Sequence, residues 1–416
     1  SYISQILPFW YLIYIFILFL TVYGFIAHYK DEKLGPYVKG LSIVAIIALV
    51  LATGISTPYF SPIFKHLFNN IFFFRGFREP QKFVALLSLV YSVLGGLGVS
   101  ELSKGIGTGK RSWKKRLISM TLVITALSAP FMYSCNMLGG FNNQLDVVDY
   151  PREWYEVNNY LNKQSGDFNV LFFPWHGFMR FSFSERIIAN PASDFFNRPT
   201  IRGENVEVGP VETQSPKPIQ HYIHFLLSHR NEIGSFGELV APLNVKYIIL
   251  AKEVDYREYG FLYNQADLRV VLDNPKMVVF ENLHKTSKIY WIKDIRMIKS
   301  WEEVLKVSKH EDIMEHAWII GEEANIFCQP IPQYEPLVYT KLSPIEYRVK
   351  VPFNEGYVVF AEPYNEGWVM NGEKPLANLG LTNAFPVKHQ GTYRIYFQKF
   401  NIFLTYYICL LYTSPS

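Results

Sequence analysis

Hydrophobic positions fall along this chain in two regimes. Up to about residue 135 they form long uncharged runs, and beyond it they recur at the short periods of helices and strands in water. Leu7–His28 is uncharged up to its terminal His, and Gly40–Ser56, Phe83–Ser100 and Leu117–Cys135 carry no charge at all. At about 1.5 Å rise per residue, ~20 such residues cross the ~30 Å hydrocarbon layer. One charge at a helix centre costs roughly 2.5–3.5 kcal/mol on insertion. Four charge-free windows therefore predict four transmembrane helices. Helices in a water-soluble core keep a polar face, and these windows are apolar all round.

The ends of the chain have their own character. Leu7–His28 is too long for a secretory signal and has no basic segment before it, and the chain begins at Ser1 without a Met. The sequence thus reads as a piece whose beginning lies upstream. Cys409–Ser416 (CLLYTSPS) resembles a translated sequencing adapter and is set aside. Phe400–Ile408 is uncharged and rich in aromatic and aliphatic residues, too short to cross a bilayer alone. It reads as the start of a truncated transmembrane helix.

The region from 136 to 335 mixes two periods, which predicts an α/β domain. Pro151–Lys163 repeats apolar residues at helical spacing. Asn169–Pro174 and Val245–Ala251 read as buried strands, and Arg269–Glu281 as two strands joined by an Asn-Pro turn. Asn197–Pro218, rich in Pro, Gly and acids, reads as a long loop. From 336 to 399 short alternating segments take over: Glu346–Val351, Gly356–Ala361 and Thr392–Phe397, with Asn371-Gly372 as a hairpin turn. They predict a small β-sandwich.

Average composition conceals this division, since 49% hydrophobic and 18% charged residues would suit a soluble protein. Charge placement adds an orientation. Ser100–Arg116 carries Lys104, Lys110, Arg111, Lys114, Lys115 and Arg116 against Glu101 alone, and Tyr29–Lys39 carries Lys30, Lys33 and Lys39. Cytoplasmic loops collect Lys and Arg. Both linkers are therefore expected inside, with the 57–82 loop and everything after Cys135 outside. That outer loop has basic residues of its own: Lys65, Arg75, Arg78 and Lys82. A multi-pass plasma-membrane protein with a large extracytoplasmic domain is the expectation. Cys328 is the single cysteine of that domain once Cys409 is set aside and Cys135 is placed at the membrane boundary, so no disulfide framework is expected.

Candidate chemistry concentrates in the 57–83 loop. Pro58 and Pro62 interrupt a helix at its start, and Ile63–Phe74 then forms an aromatic, amphipathic stretch suited to the headgroup layer. Arg75, Arg78 and Lys82 follow, with Glu79 among them. Arg binds phosphate bidentately, so the three cations are candidates for a donor phosphate, and Glu79 for an ion pair that supports them. The alternative is that the cations only snorkel to lipid headgroups. Tyr357, Tyr364 and Trp368 are candidates for a sugar-stacking platform, against the alternative of ordinary core aromatics. Gly105–Ser112 glances at a phosphate loop, but Arg111 stands where a Ser or Thr is required and no strand precedes it. No zinc-spaced cluster, HExxH or nucleophile elbow occurs. Neither metal nor cofactor is expected, and nucleic acid is not an expected partner.

Several short stretches resemble the YfhO-like and arabinofuranosyltransferase-like membrane proteins of the GT-C glycosyltransferase superfamily. They are Phe77-Arg-Glu-Pro-Gln-Lys-Phe83, Tyr150-Pro151, Asn244–Ile249, Val278–Asn282, and Glu362-Pro-Tyr-Asn-Glu-Gly-Trp368 followed by Asn371-Gly372. The resemblance covers most of residues 40–408 and lies in the order of the parts. It implies transfer of a sugar from a polyprenyl-phosphate donor to a glycan or lipid acceptor outside the membrane. The general base of such transfer is a carboxylate in the first outer loop, a region that precedes this sequence, so the catalytic residue is unknown. The alternative function is a non-catalytic envelope protein that binds glycan or a partner. A transporter is disfavoured because the spans carry no charges lining a path.

Overall fold

The computed structural model describes residues 10–71, 74, 79–107, 113–134, 148–184, 186–208, 211–213, 215–321, 333–400 and 404. The chain divides into two compact units, Ser1–Val147 and Val148–Ser416.

The first unit is helical: α1 Trp10–His28, α2 Gly35–Ala52, α3 Ser61–Asn70, α4 Val84–Gly107 and α5 Trp113–Ser134. Among the described residues three helical segments are long and apolar enough to cross a membrane: Tyr11–His28, Gly35–Ala52 and Pro80–Lys104. The fourth expected span differs. Its helix forms, and among the described residues its apolar stretch is Ser119–Phe131, shorter than a span.

Glycines set the packing of α1 on α4. A Cβ at Gly24 would lie 2.0 Å from the Leu94 carbonyl oxygen, and one at Gly98 would lie 2.3 Å from that of Leu20. The two backbones touch there, as small residues permit between apolar helices. Tyr14 and Tyr91 meet through their hydroxyls at 3.2 Å, and His28 Nε2 lies 3.8 Å from Glu101 Oε2. These pairings rise together along both helices, so α1 and α4 run parallel. The turn into α2 is organised by Asp31, whose carboxylate accepts from the N–H groups of Lys33 and Leu34 at 2.8 and 2.9 Å. Helix α2 then returns, and Gly54 just beyond it abuts Pro80, in the turn that leads into α4.

The second unit holds a five-stranded sheet and a two-sheet sandwich. Its elements begin with α6 Arg152–Lys163, β1 Asn169–Phe173, the hairpin β2 Phe178–Arg180 and β3 Ile187–Ala189, and β4 Thr200–Ile201. A second hairpin, β5 Val206–Val208 and β6 Val211–Thr213, precedes α7 Pro218–Ser228 and α8 Phe236–Val240. Then come β7 Val245–Ala251, β8 Leu268–Asp273 and β9 Met277–Asn282. Strand order in the first sheet is β4-β1-β7-β9-β8, with β4, β1 and β7 parallel and β9 antiparallel to its neighbours. Both faces are covered. Val170, Phe172, Ile249 and Val279 pack with Trp154, Val157 and Leu161 of α6. Leu171, Phe173, Ile248 and Phe280 pack with Tyr222 and Leu226 of α7 and Phe236 of α8. Burial on both sides is why β1 and β7 read as unbroken apolar runs. The expected long loop at 197–218 contains β4 and the β5–β6 hairpin.

The sandwich is assembled from β10 Ile289–Ile292, β11 Ile295–Ile298, helix α9 Trp301–Val307, β12 Ala317–Ile320, β13 Tyr334–Pro336, β14 Tyr339–Ser343, β15 Glu346–Val351 and β16 Gly356–Phe360. It is completed by β17 Trp368–Met370, β18 Leu376–Asn378, β19 Thr382–Val387 and β20 Gly391–Phe397. One sheet has the order β11-β12-β18-β19-β16-β10-β13, and the other β14-β15-β20-β17. Strands on both sides of residue 336 thus share a sheet, and the sandwich begins at Ile289 instead. The cause is long-range pairing, Ile289 opposite Phe360 and Ile292 opposite Tyr357. Asn371 and Gly372 have φ of 50° and 91° and close the turn between β17 and β18, the geometry that favours Asn-Gly. Of the expected helix at 400–408, Phe400 and Leu404 have helical backbone, and the other positions lie outside the described residues.

Candidate functional site

The 57–83 segment folds onto the end of α2 and the start of α4. Pro62 stands in the first turn of α3, where its missing N–H costs nothing. From α3, Phe64 reaches Phe74, with ring centroids 5.5 Å apart, and Phe74 stacks on Phe83 at 5.9 Å. This aromatic cluster packs on Leu51 and Ala52 at the end of α2. A 3-10 turn, Pro80–Phe83, leads straight into α4. Lys82 Nζ lies 3.8 Å from Glu79 Oε2, and both side chains are about half exposed. Arg75 and Arg78 lie outside the described residues. Tyr59 and Ile63 project from the segment into the surroundings, 87% and 49% exposed.

The three candidate stacking aromatics do not form one surface. Trp368 is buried between the two sheets, edge-on to Phe360 at 4.9 Å and to Phe397 at 5.3 Å. Tyr357 belongs to the opposite face of the seven-stranded sheet, beside Tyr290 and Val359. Tyr364 is half-buried in the loop between β16 and β17, held by its N–H to the Leu381 carbonyl at 2.8 Å. Alternation along a strand explains the split: Val358 and Phe360 face the sandwich core, so Tyr357 and Val359 cannot.

Two polar constellations are not visible in the local sequence pattern. The first lies at the carboxyl ends of β1 and β7. The chain leaves β1 toward β4 on one side, while β7 adjoins β1 on the other, so adjacent parallel strands send their connections apart, the usual place for a crevice. His176, after β1, brings Nε2 within 3.0 Å of Asp255 Oδ2, after β7. The Trp175 N–H donates to the Tyr259 hydroxyl at 2.8 Å. Asp255 Oδ1 and Trp175 Nε1 are buried without a hydrogen-bond partner among the described residues. Beside them Val254 has φ of 45°, a strained value for a β-branched residue.

The second constellation joins the α/β layer to the sandwich. Asp312 receives Lys285 Nζ at 2.7 Å and the Met314 N–H at 2.9 Å, and lies 3.0 Å from His284 Nε2. Burial alone would raise its carboxyl, but these hydrogen bonds outweigh burial and hold it down at about 2. Glu238 and Asp267 behave oppositely, because burial is the larger effect and pushes both upward. Glu238 accepts from the Ile313 N–H at 3.0 Å, and its own N–H donates to Asp267 at 2.6 Å. A strand-end Pro174-Trp175-His176 and an Asp immediately before a Tyr-rich turn are the local signals of the first group. Among the described residues no group of three or more His, Cys, Asp or Glu is placed to hold a metal ion.

No protein-family model matches the chain. No curated protein matches it either. Among solved structures, arabinofuranosyltransferase AftD from Mycobacteria aligns with 9% identity and a TM-score of 0.41, over 92% of this chain and 37% of that one. A mutant form of that enzyme aligns with 9% identity and a TM-score of 0.37, over 86% of this chain and 40% of that one. The chain thus spans well under half the length of these structures.

Proposed function

We propose that this chain is part of a multi-pass membrane glycosyltransferase of the GT-C type, with its second unit extracytoplasmic. In this reading it uses a polyprenyl-phosphate sugar donor and a glycan or lipid acceptor. The observation that carries the reading is the packing of the 57–83 segment. The Phe64–Phe74–Phe83 cluster ties it to the end of α2 and the start of α4, so Lys82 stands at the end of a spanning helix, the depth at which lipid phosphates lie. Arg75 and Arg78 sit within seven residues of it in sequence. Cations at that level hold a phosphate by charge-assisted hydrogen bonds. The order of parts that resembles GT-C transferases supports the same reading.

The test is sugar transfer from a polyprenyl-phosphate donor by the complete protein in membranes. Arg78→Ala and Lys82→Ala are each expected to lower donor-dependent transfer at least tenfold, which corresponds to about 1.4 kcal/mol or more. Lys104→Ala, at the opposite end of α4, is expected to leave transfer unchanged. Equal transfer by all three variants would reduce the cationic segment to an interfacial anchor. Absence of transfer in the unaltered protein would favour a glycan-binding envelope protein.

A further inference from the structure

A cavity of about 170 Å³ lies between the α/β layer and the sandwich, at the amino ends of the parallel strands. Asn169, Thr200 and Ile219 line it from the α/β side, and Glu362, Pro363 and Leu381 from the sandwich side. Glu362 opens the Glu-Pro-Tyr-Asn-Glu-Gly-Trp stretch, and the cavity gives that stretch a chemical role.

The carboxylate is a built feature. Lys288, 5% exposed, places Nζ 2.6 Å from Glu362 Oε1 and 5.9 Å from the Phe360 ring centroid. Removing Glu362 would leave Lys288 a buried unpaired charge, so the pair holds the carboxylate in place. Fully buried Asn383 fixes the loop backbone, donating to the Glu362 carbonyl at 2.8 Å and accepting from the Asn365 N–H at 3.1 Å. Gly367 completes the turn, because any Cβ there would meet the Phe397 ring at 2.7 Å.

The polar groups at the cavity favour a ligand that donates. The Glu362 carboxylate accepts from Lys288 and has lone pairs left for a further donor. Thr200 gives its proton to the Arg198 carbonyl at 2.8 Å, and Asn169 commits its Nδ2 to the Leu243 carbonyl at 2.7 Å. Thr382 adds a hydroxyl that accepts from Asn378 Nδ2 at 3.0 Å, and the rest of the wall is aliphatic. Acceptors beside an aliphatic wall suit a ring with hydroxyls on its edge and C–H groups on its face. Size limits the ligand to one ring, since ~150 Å³ accommodates benzene and sites for drug-sized ligands run ~300–1,000 Å³.

We infer that this cavity binds a single carbohydrate ring, a pentose or hexose unit of a glycan, with Glu362 accepting from its hydroxyls and Ile219 and Leu381 against its C–H face. The site is independent of the transferase reading and stands or falls separately from it.

The test is titration of the full chain in detergent with methyl mannopyranoside and methyl ribofuranoside, followed by saturation-transfer NMR. Saturable binding of at least one glycoside is expected, with Kd on the order of 1–10 mM for a single small ring. Glu362→Gln should weaken it at least tenfold. Ile219→Trp, which fills the cavity and leaves the Lys288–Glu362 pair intact, should do the same and covers the case in which Glu362→Gln fails to fold. Lys104→Ala, in the helical unit, should bind as the unaltered chain does. No saturable binding of either glycoside would overturn the inference. So would undiminished binding by folded Ile219→Trp, or displacement of the glycosides by an equal concentration of cyclohexane-methanol, the mark of a merely apolar hole.

Discussion

Asp312, Glu238 and Asp267 show how one buried junction treats identical functional groups in opposite ways. Asp312 is met by Lys285, His284 and a backbone N–H, and its carboxyl is depressed from 3.8 to about 2. A depressed carboxylate stabilises the fold fully above its unfolded value, and the contribution is lost as pH falls from about 4 toward 2. The shift corresponds to roughly 2 kcal/mol. Asp312→Asn is therefore expected to lower stability at pH 7 by about 1–2 kcal/mol and to flatten the acid limb of a denaturation series run between pH 5 and pH 2. An unchanged acid limb would show that Asp312 does not carry it. Glu238 has the reverse sign. Its carboxyl is raised from 4.5 by burial, so the folded state holds a proton that the unfolded state has released. Stability then declines as pH climbs above about 4.5. Glu238→Gln keeps an acceptor for the Ile313 N–H and should remove that decline, visible as a higher midpoint at pH 7 with no gain at pH 4.

Single glycines decide how the apolar helices meet. The windows of uncharged residues are legible as spans, but nothing in their composition says which faces touch. Gly24 and Gly98 are the points of backbone contact between α1 and α4, whereas Gly96 has nothing within 4 Å of its would-be Cβ. A side chain at 98 must push the helices apart, and one at 96 need not. Gly98→Leu is expected to lower the thermal stability of the full chain in detergent by several degrees, with Gly96→Leu close to the unaltered protein. Equal melting of the two would mean that the α1–α4 contact contributes little. Strands show the same division. The apolar runs at 169–173 and 245–251 announce β1 and β7, yet the membership of β10 in the sandwich rests on pairings across more than 60 residues. Local periodicity carries no trace of a partner that far away.

For the molecule as a whole, the parallel run of α1 and α4 with α2 returning between them brings the 29–34 turn and the end of α4 to one side of the helical unit. Lys30 and Lys33 lie in that turn, and Lys104 near that end. A shared basic side is what the distribution of Lys and Arg requires of a cytoplasmic face. Cysteine labelling in a cysteine-free background should accordingly find position 107 protected from an impermeant reagent in intact cells and position 232, in the second unit, reactive. Labelling at 107 and protection at 232 would invert the proposed orientation.

Hydrophobic spacing determined the division into an apolar helical region and an aqueous one, the buried strands β1 and β7, the β8–β9 hairpin and the Asn371-Gly372 turn. Those features follow from what each few residues can bury or bend, a property local to the chain. Tertiary structure decided the rest. It began the sandwich at Ile289, and put Trp368 inside the sandwich while turning Tyr357 to the other face. It also brought His176 to Asp255, and Asn169 and Thr200 to Glu362, across separations that no local pattern encodes. A side chain's chemistry depends on its neighbours in space, and those are set by strand order and sheet packing.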